Sequence, residues 1–319
     1  MSVLDRLVVA PELADAVRAG RPVVALESTL ISHGLPYPAN LEVARASEVA
    51  VRAAGAIPAT IAIRDGRLLV GLTDPDLESL AKAPTGTVRK AARPSLALAL
   101  DAGGWAATTV SATMIAAHAA GIRVFATGGI GGVHRGALAG GGDSANLATL
   151  DISSDLEELA RTPIAVVCAG PKAILDVPAT LEYLETRGVP VVAVGQDELP
   201  GFYARTLGVH APASVPDVAA AARLVATQLG LELGGAILVC VPVPAADALP
   251  GDVAAEAIDR AIDEADAAGV AGPALTPWLL ARIGELTDGA SIRANTALIV
   301  NNAGVAAALA ARLAGAVPR

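Results

Sequence analysis

Two short apolar runs, each followed by a polar loop, constrain the fold of this chain most. Residues 124–127 lead into a glycine-rich segment at 128–136, and residues 164–169 end in Gly170, Pro171 and Lys172. Short apolar runs bounded by glycine and proline are typical of buried strands. Open α/β sheets bind ligands beyond the carboxyl ends of such strands. The sequence therefore predicts an α/β fold with a ligand site where the two loops meet.

Strand and helix patterns alternate along most of the chain. The pair Asp65-Gly66 between two apolar runs predicts a hairpin, so the sheet is expected to be mixed. A proline-rich segment at 242–250 ends this alternation. Only helical patterns follow it, at 253–267, 277–286 and 292–313. This order predicts a single α/β domain over residues 1–319, in which residues 252–319 form a helical C-terminal cover.

The composition indicates a soluble protein despite its apolar character. Hydrophobic residues make up 53% of the chain and the mean hydropathy is +0.54, but aromatic residues are only 2%. The longest uncharged window, 102–122, contains glycines and hydroxyl residues and predicts a strand followed by a helix, not a membrane span. No signal peptide pattern opens the chain. We expect a cytoplasmic protein.

The net charge argues against one class of binding partner, and the two cysteines indicate the redox state of the compartment. The formal net charge is −9, and the few aromatic residues cannot stack many bases, so a nucleic acid polymer is not expected as a partner. Both cysteines, Cys168 and Cys240, lie in apolar strand-like runs. They are expected to be buried free thiols, because structural disulfides are rare in a reducing compartment.

Lys172 is the strongest candidate for a chemical role. It follows a buried strand and a Gly-Pro turn, so we expect it in or near the first turn of the next helix. The positive end of the helix dipole and partial burial both disfavour an ammonium group there. A neutral lysine attacks carbonyl carbons and forms Schiff bases. The alternative is an exposed lysine that merely opens a helix.

Three acidic residues are candidates for the same site. Glu27 ends an otherwise apolar run, and burial there would favour the protonated form that a general acid needs. Asp151 and Asp155 stand four residues apart, which predicts two carboxylates on one face at the start of a helix. Such a pair suits Mg²⁺ or Mn²⁺. Acidic residues also favour helix starts without any metal, and the spacing alone favours that interpretation.

Two further segments could bind an anion. The segment 87–93, which contains Lys90, is the densest basic cluster of the chain. It is either a solvated face or a phosphate-binding edge. The backbone amides of the glycine-rich segment could cradle a phosphate or a carbonyl oxygen. Dinucleotide binding is not indicated, because His134 stands where the third glycine of that pattern would be.

Four motifs together resemble the pseudouridine-5′-phosphate glycosidase family, which is also called the indigoidine-synthase-A-like family. They are ALESTLISHG at 25–34, ATGGIGGVHRG at 126–136, DISSDL at 151–156 and CAGPK at 168–172. The resemblance extends from about residue 10 to the last helix and includes Thr276-Pro277 and Asn301-Asn302-Ala303. Several long motifs in the right order make it specific.

The resemblance implies a three-layer αβα fold, a homotrimer and dependence on Mn²⁺, with Mg²⁺ or another divalent ion as a substitute. It implies reversible cleavage of the C–C glycosidic bond of pseudouridine 5′-phosphate to uracil and ribose 5-phosphate. In the synthetic direction such an enzyme is a hydro-lyase of the carbon–oxygen lyase class. It also implies that Lys172 is the Schiff-base nucleophile, Glu27 the proton donor and Asp151 the metal ligand. The residues implied to contact the substrate are Lys90, Val110, Thr127, His134, Ser153, Ser154, Asp155 and Asn295.

The chain departs from the family pattern at two places, and two other functions stay open. The connection at 137–150 is longer than the family's usual join, and Pro171 replaces a small residue. An aldolase-like Schiff-base lyase would turn over other sugar phosphates without any use of uracil. A sugar-phosphate sensor would bind its ligand without turning it over, and a Lys172→Ala variant of it would still bind.

Overall fold

A computed structural model describes residues 2–138, 149–270, 272 and 275–316. Most of the long connection predicted at 137–150 lies outside these residues. The strands are β1 (Leu7–Val9), β2 (Val23–Leu26), β3 (Ile57–Arg64), β4 (Arg67–Val70), β5 (Arg89–Ala91), β6 (Trp105–Thr108), β7 (Val124–Ala126), β8 (Val133–His134), β9 (Ala165–Cys168), β10 (Leu175–Asp176), β11 (Val191–Val194), β12 (Ala213–Val215) and β13 (Ile237–Cys240). The helices are α1 (Val3–Arg6), α2 (Pro11–Arg18), α3 (Thr29–His33), α4 (Ala39–Ala53), α5 (Asp74–Ala81), α6 (Leu96–Asp101), α7 (Val110–Ala119), α8 (Ser154–Leu159), α9 (Val177–Thr186), α10 (Val218–Gly230), α11 (Gly251–Ala267), α12 (Leu275–Leu286) and α13 (Ala290–Ala316).

One mixed sheet organises the described residues. Its order is β1-β4-β3-β2-β7-β9-β13-β11-β12, with β6 paired to β3 and β5 paired to β6. The central strands are parallel. The hairpin of β3 and β4 is antiparallel and turns through Asp65 and Gly66, both with positive φ, as a two-residue hairpin turn requires. The predicted hairpin and mixed sheet are confirmed.

Alternate residues of the central strands face two different hydrophobic layers, because side chains along a strand point to opposite faces. In β9, Val166 and Cys168 belong to the layer covered by α2, α7 and α9. Ala165 and Val167 belong to the layer covered by α4, α10 and α13. Coverage on both faces explains why these strands are continuous apolar runs. The predicted three-layer αβα architecture is confirmed.

The long helix α13 packs directly on the sheet. Ala303, Ala306, Ala307 and Leu309 are fully buried in the same cluster as residues of β2, β7 and β9. The stretch Ala290–Gly315 is long and apolar enough to cross a membrane, but half of its most apolar window is buried inside the protein. That burial is the behaviour of a core helix, which accounts for its apolar character.

The carboxyl ends of three adjacent parallel strands place the residues singled out from the sequence. Glu27 follows β2, Thr127 follows β7 and Lys172 lies four residues after β9. The strands pair in the order β2-β7-β9, so the three loops emerge side by side. The predicted meeting of the loops after β7 and β9 is confirmed, and the loop after β2, which carries Glu27, lies beside them.

Candidate active site

A cavity of about 240 Å³ lies beyond these strand ends. Its lining combines hydroxyl groups, acids and lysines from segments far apart in the sequence. Nine of the residues singled out from the sequence line it: Glu27, Lys90, Val110, His134, Asp151, Ser153, Ser154, Asp155 and Lys172. The cavity therefore unites the acid, the lysines and the aspartates in one place.

Glu27 is a partly buried acid in the cavity wall. Burial raises the pKa of its carboxyl group, and the positive charge of Lys172 opposes that rise only in part. The hydroxyl of Thr127 donates a hydrogen bond to the Glu27 carboxylate. Thr127 does not itself line the 240 Å³ cavity and contacts Glu27 from behind. An acid whose protonated form persists to higher pH suits proton donation.

Asn302 fixes the loop that carries Thr127. Its amide group donates to the backbone carbonyls of Thr127, at 2.9 Å, and Gly128, at 3.3 Å. The side chain is fully buried on α13. Sequence reasoning gave Asn302 no role, although it lies in a motif that carries the family resemblance. Through these bonds, helix α13 holds the loop from which the Thr127 hydroxyl donates to Glu27.

Asp155 is buried and clamps two parts of the site together. One carboxylate oxygen accepts from the backbone N–H of Ser111, at 3.0 Å, and the other accepts from the N–H of Gly131, at 3.0 Å. The first bond fixes the start of α7 and the second fixes the glycine-rich segment. A side chain at Gly131 would collide with Ser153, so glycine is needed there for close packing. The Gly131 amide is thus engaged by Asp155.

The prediction that Asp151 and Asp155 share a helix face is wrong. Ser153 caps α8 by accepting from the N–H of Asp155, at 3.2 Å, so the helix begins only at Ser154. Asp151 lies before the helix in extended chain, and its backbone carbonyl accepts from the N–H of His134. Asp155 points into the core, whereas Asp151 is exposed at the cavity.

The donor set at Asp151 fits one kind of metal site. No group of three or more His, Cys, Asp or Glu side chains that could hold a metal occurs in the described ranges. The side chains of the described ranges therefore do not form a metal site in which protein atoms supply every ligand. Mg²⁺ commonly binds through one or two carboxylates and keeps several waters. The exposed carboxylate of Asp151 fits that water-rich mode for a hard divalent ion.

Lys172 does not lie in a helix, so the predicted position is wrong. Pro171 forms a bridge with Ile130, and the N–H of Lys172 donates to the carbonyl of Ile130, at 3.1 Å. Helix α9 begins five residues later, where Asp176 caps it by accepting from the N–H of Ala179, at 3.0 Å. Lys172 is thus positioned by a backbone contact with the glycine-rich segment and lies outside helix α9.

Two residues of the basic segment 87–93 make different interactions. Lys90 on β5 lines the cavity and stays accessible to solvent there. Partial desolvation by the cavity wall and then the positive charge of Lys172 lower its pKa, while Glu27 and Asp155 oppose the shift. Arg93 instead pairs with the buried carboxylate of Glu158, at 2.6 Å. Lys90 therefore serves the cavity, which favours the anion-binding interpretation for this residue.

Two predicted residues, Thr127 and Asn295, do not line the cavity, and three threonines that do line it were given no role. Asn295 is on α13 and does not line the cavity. Thr29, Thr109 and Thr276 line it and offer further hydroxyl groups. For Thr109 a signal was present, because this residue stands between the apolar run of β6 and the helix α7.

The fold and the cavity define an α/β protein with an acid and two lysines at the carboxyl ends of a mixed sheet. The chain belongs to the indigoidine synthase A-like protein family, whose model matches residues 12–312. It is 54% identical over 303 residues to a pseudouridine-5′-phosphate glycosidase of Solibacter usitatus, covering 95% of this chain and 98% of the relative. A protein of the same name from Caldanaerobacter subterraneus is 51% identical over 302 residues, with 95% of both chains covered.

Two solved structures share the fold. The prealnumycin C-glycosynthase AlnA, in complex with ribulose 5-phosphate, matches with a TM-score of 0.85 and 39% identity over 97% of both chains. An indigoidine synthase A-like protein of Thermotoga maritima matches with a TM-score of 0.83 and 31% identity, covering 97% of this chain and 96% of that one.

Proposed function

We propose that this protein is a pseudouridine-5′-phosphate glycosidase that cleaves the C–C bond between uracil and ribose 5-phosphate through a Schiff base on Lys172. The observation that carries the proposal is the placement of Glu27 and Lys172 in the wall of one cavity. The relatives named above, alike over almost the whole chain, support this choice of substrate.

The first step opens the ribose ring. Glu27 donates its proton to the ring oxygen while the amine of Lys172 attacks C1′, so a C–N bond forms as the C1′–O bond breaks. The raised pKa of Glu27 keeps a proton available for this step. The hydrogen bond from Thr127 holds the carboxyl group in place.

The second step breaks the C–C bond. The nitrogen became a secondary ammonium when it bonded to C1′, so it first returns one proton to Glu27 and regains its lone pair. That lone pair then forms the C=N bond of the protonated imine, while the electron pair of the C–C bond leaves with C5 of uracil, which takes the proton from Glu27. Water then hydrolyses the imine, which releases ribose 5-phosphate and frees Lys172. A carbon leaving group has no lone pair to protonate, so two carboxylates of the ordinary glycosidase kind would not suffice. A lysine imine supplies the electron sink instead.

Other cavity residues hold the substrate in this proposal. Lys90 and His134, together with the hydroxyls of Ser153 and Ser154, suit the phosphate and the sugar. Asp151 would hold Mn²⁺ or Mg²⁺ through water, and the ion would supply positive charge and ordered water to the bound substrate. We also infer hydro-lyase activity in the synthetic direction, a homotrimer and a cytoplasmic location, on the family resemblance.

A C-glycosynthase among the structural relatives raises the question of which carbon partner is used. Its complex with ribulose 5-phosphate supports a sugar-phosphate site in this fold. The higher identity to the glycosidases, 54% against 39%, favours uracil as the partner here. An aldolase-like lyase would instead release no uracil and would turn over other sugar phosphates.

The test is uracil release from pseudouridine 5′-phosphate, followed by chromatography with Mn²⁺ and with a chelator. Release is expected with Mn²⁺ and is expected to be lost in Lys172→Ala and Glu27→Ala. Lys82→Ala is the matched control, because Lys82 is exposed, contacts Glu78 and the ring of Tyr37, and does not line the cavity. A folded wild type that releases no uracil under either condition would contradict the proposal.

A further inference from the structure

Ser111 is a fully buried residue behind the wall of the 240 Å³ cavity, and it does not line that cavity itself. Its hydroxyl oxygen lies 3.1 Å from the backbone nitrogen of Arg93, 3.2 Å from the hydroxyl oxygen of Thr109 and 3.5 Å from that of Ser154. Thr109 and Ser154 both line the cavity. The Ser111 hydroxyl therefore stands directly behind two hydroxyl groups of the cavity wall.

The number of protons and lone pairs at Ser111 limits how these groups can pair. A serine hydroxyl has one proton to donate and two lone pairs with which to accept. The N–H of Arg93 can only donate, so it takes one lone pair of Ser111. One proton and one lone pair remain for two neighbouring hydroxyl groups, so Ser111 donates to one of them and accepts from the other. The hydroxyl that accepts from Ser111 keeps its own proton for the cavity, whereas the other presents only lone pairs there.

The hydrogen bond from Arg93 to Ser111 is anchored at both ends. The guanidinium group of Arg93 pairs with the buried carboxylate of Glu158 on α8, at 2.6 Å. The backbone of Ser111 is held as well, because its N–H donates to the buried Asp155, at 3.0 Å. One lone pair of Ser111 is therefore always occupied, and its proton is left for the neighbouring hydroxyl groups.

The surroundings of Thr109 favour it as the hydroxyl that donates into the cavity. Thr109 is the residue before α7, yet its side chain makes no capping bond with the helix, so its oxygen is available to accept from Ser111. The N–H of Thr109 donates to the carbonyl of Ala91, at 2.8 Å, and Ala91 directly follows Lys90 on β5. An anion between Lys90 and the start of α7, where the helix dipole is positive, attracts the proton of Thr109.

Resting on the phosphate group that the proposed function gives the substrate, we propose that Ser111 is a positioning residue that directs the hydroxyl proton of Thr109 to the phosphate. Ser154 donates to Ser111, Ser111 donates to Thr109, and Thr109 donates to a phosphate oxygen. No proton is transferred along this chain. The two distances between hydroxyl oxygens are long for hydrogen bonds, and such bonds tighten when a ligand is bound. Each bond in the chain polarises the next, which strengthens the last one.

The test measures the binding of ribose 5-phosphate and of inorganic phosphate by calorimetry. Ser111→Ala is expected to raise both Kd values at least about threefold, because the Thr109 hydroxyl then samples about three staggered orientations instead of one. The substitution leaves the backbone bond to Asp155 intact. Thr109→Val should raise both Kd values about tenfold or more through loss of the charge-assisted bond. The double variant is expected to bind as Thr109→Val does, since Ser111 acts through Thr109.

The kinetics and three further variants separate positioning from general damage. In the uracil assay, Ser111→Ala should raise KM and leave kcat unchanged. Ser291→Ala removes another buried serine hydroxyl, which accepts from Thr287 on the far side of the cavity lining, at 3.0 Å, and it is expected to keep both Kd values. Thr109→Ser retains the hydroxyl and should bind as wild type does, with the same sensitivity to Ser111→Ala. Should Ser111→Ala fail to fold, Ser111→Cys carries the test, because a thiol is a weak donor and should also raise both Kd values.

The outcomes for this inference differ from those for the proposed function. Wild-type Kd values in a folded Ser111→Ala variant would overturn the inference, as would a further loss of binding when Ser111→Ala is added to Thr109→Val. A wild type that binds neither probe would overturn it too. A wild type that binds both probes but releases no uracil would overturn the proposed function alone, because the binding data decide the role of Ser111 by themselves.

Discussion

The substitution Asp155→Asn tests whether this carboxylate clamps the site as the structure indicates. Asp155 is buried and accepts one backbone N–H at each oxygen, from Ser111 and from Gly131. Asparagine has the same shape but only one oxygen. Its NH₂ group would face one of the two N–H donors, so a buried donor would lose its partner.

The expected loss follows from the two hydrogen bonds. A buried, unpaired N–H costs about 1–3 kcal/mol, and the remaining bond loses its charge assistance, which is worth about 1 kcal/mol. The free energy of unfolding should therefore fall by about 2–4 kcal/mol. For a chain of this size that corresponds to a fall in Tm of roughly 3–6 °C.

Calorimetry of Asp155→Asn against Asp217→Asn checks this value. Asp217 is an exposed cap that accepts only the N–H of Ala220, at 2.8 Å, and asparagine caps as well as aspartate does. The control should stay within about 0.5 kcal/mol of wild type. If Asp155→Asn were as stable as Asp217→Asn, the clamp would not be the structural feature we infer.

Three further predictions concern the cavity. Glu27→Gln should lower kcat about 10²–10⁴-fold in the uracil assay. The same variant should also gain stability relative to wild type as pH rises above 4.5, the ordinary pKa of a glutamate. The reason is that burial raises the pKa of Glu27, so the ionised carboxylate of wild type is penalised in the folded state. In urea unfolding, the difference in stability between the variant and wild type should be larger at pH 8 than at pH 5, and an equal difference at both would contradict this reasoning. Lys90→Met should raise KM about tenfold or more through loss of a charge-assisted phosphate contact, whereas an unchanged KM would place the phosphate elsewhere. Asp151→Asn should abolish the rise in activity with Mn²⁺, as measured by titration of the ion, and an unchanged titration would remove Asp151 as the ligand.

The sequence was sufficient for the features that local patterns determine. The apolar runs identify β7 and β9, and the Asp65-Gly66 pair identifies the hairpin, because strand burial and turn conformation depend on neighbouring residues. The loops after β7 and β9 could be placed together for a similar reason, since parallel strands end at one edge of a sheet.

Helix boundaries show where local reasoning gave the wrong answer. The spacing of Asp151 and Asp155 predicts that both open one helix, yet α8 begins only at Ser154, because Ser153 caps it. At Lys172, the Gly-Pro turn suggested a helix start, but Asp176 is the residue that caps α9. The backbone N–H of Lys172 instead donates to the carbonyl of Ile130, which lies in a distant part of the chain.

Other features depend on contacts between distant parts of the chain. The donors to Asp155 come from the start of α7 and from the glycine-rich segment, so its burial could not be read from its own neighbours. The support of Glu27 is likewise formed by distant residues, since Thr127 follows β7 and the Asn302 that fixes its loop lies on α13.

The central claim is a Schiff base on Lys172, and borohydride trapping tests it most directly. The protein is incubated with ribose 5-phosphate, reduced with borohydride, digested and mapped by mass spectrometry. We predict one reduced ribose 5-phosphate adduct on the peptide that contains Lys172, and none in Lys172→Arg. An active wild type that forms no adduct, or forms it on Lys90 instead, would contradict the account.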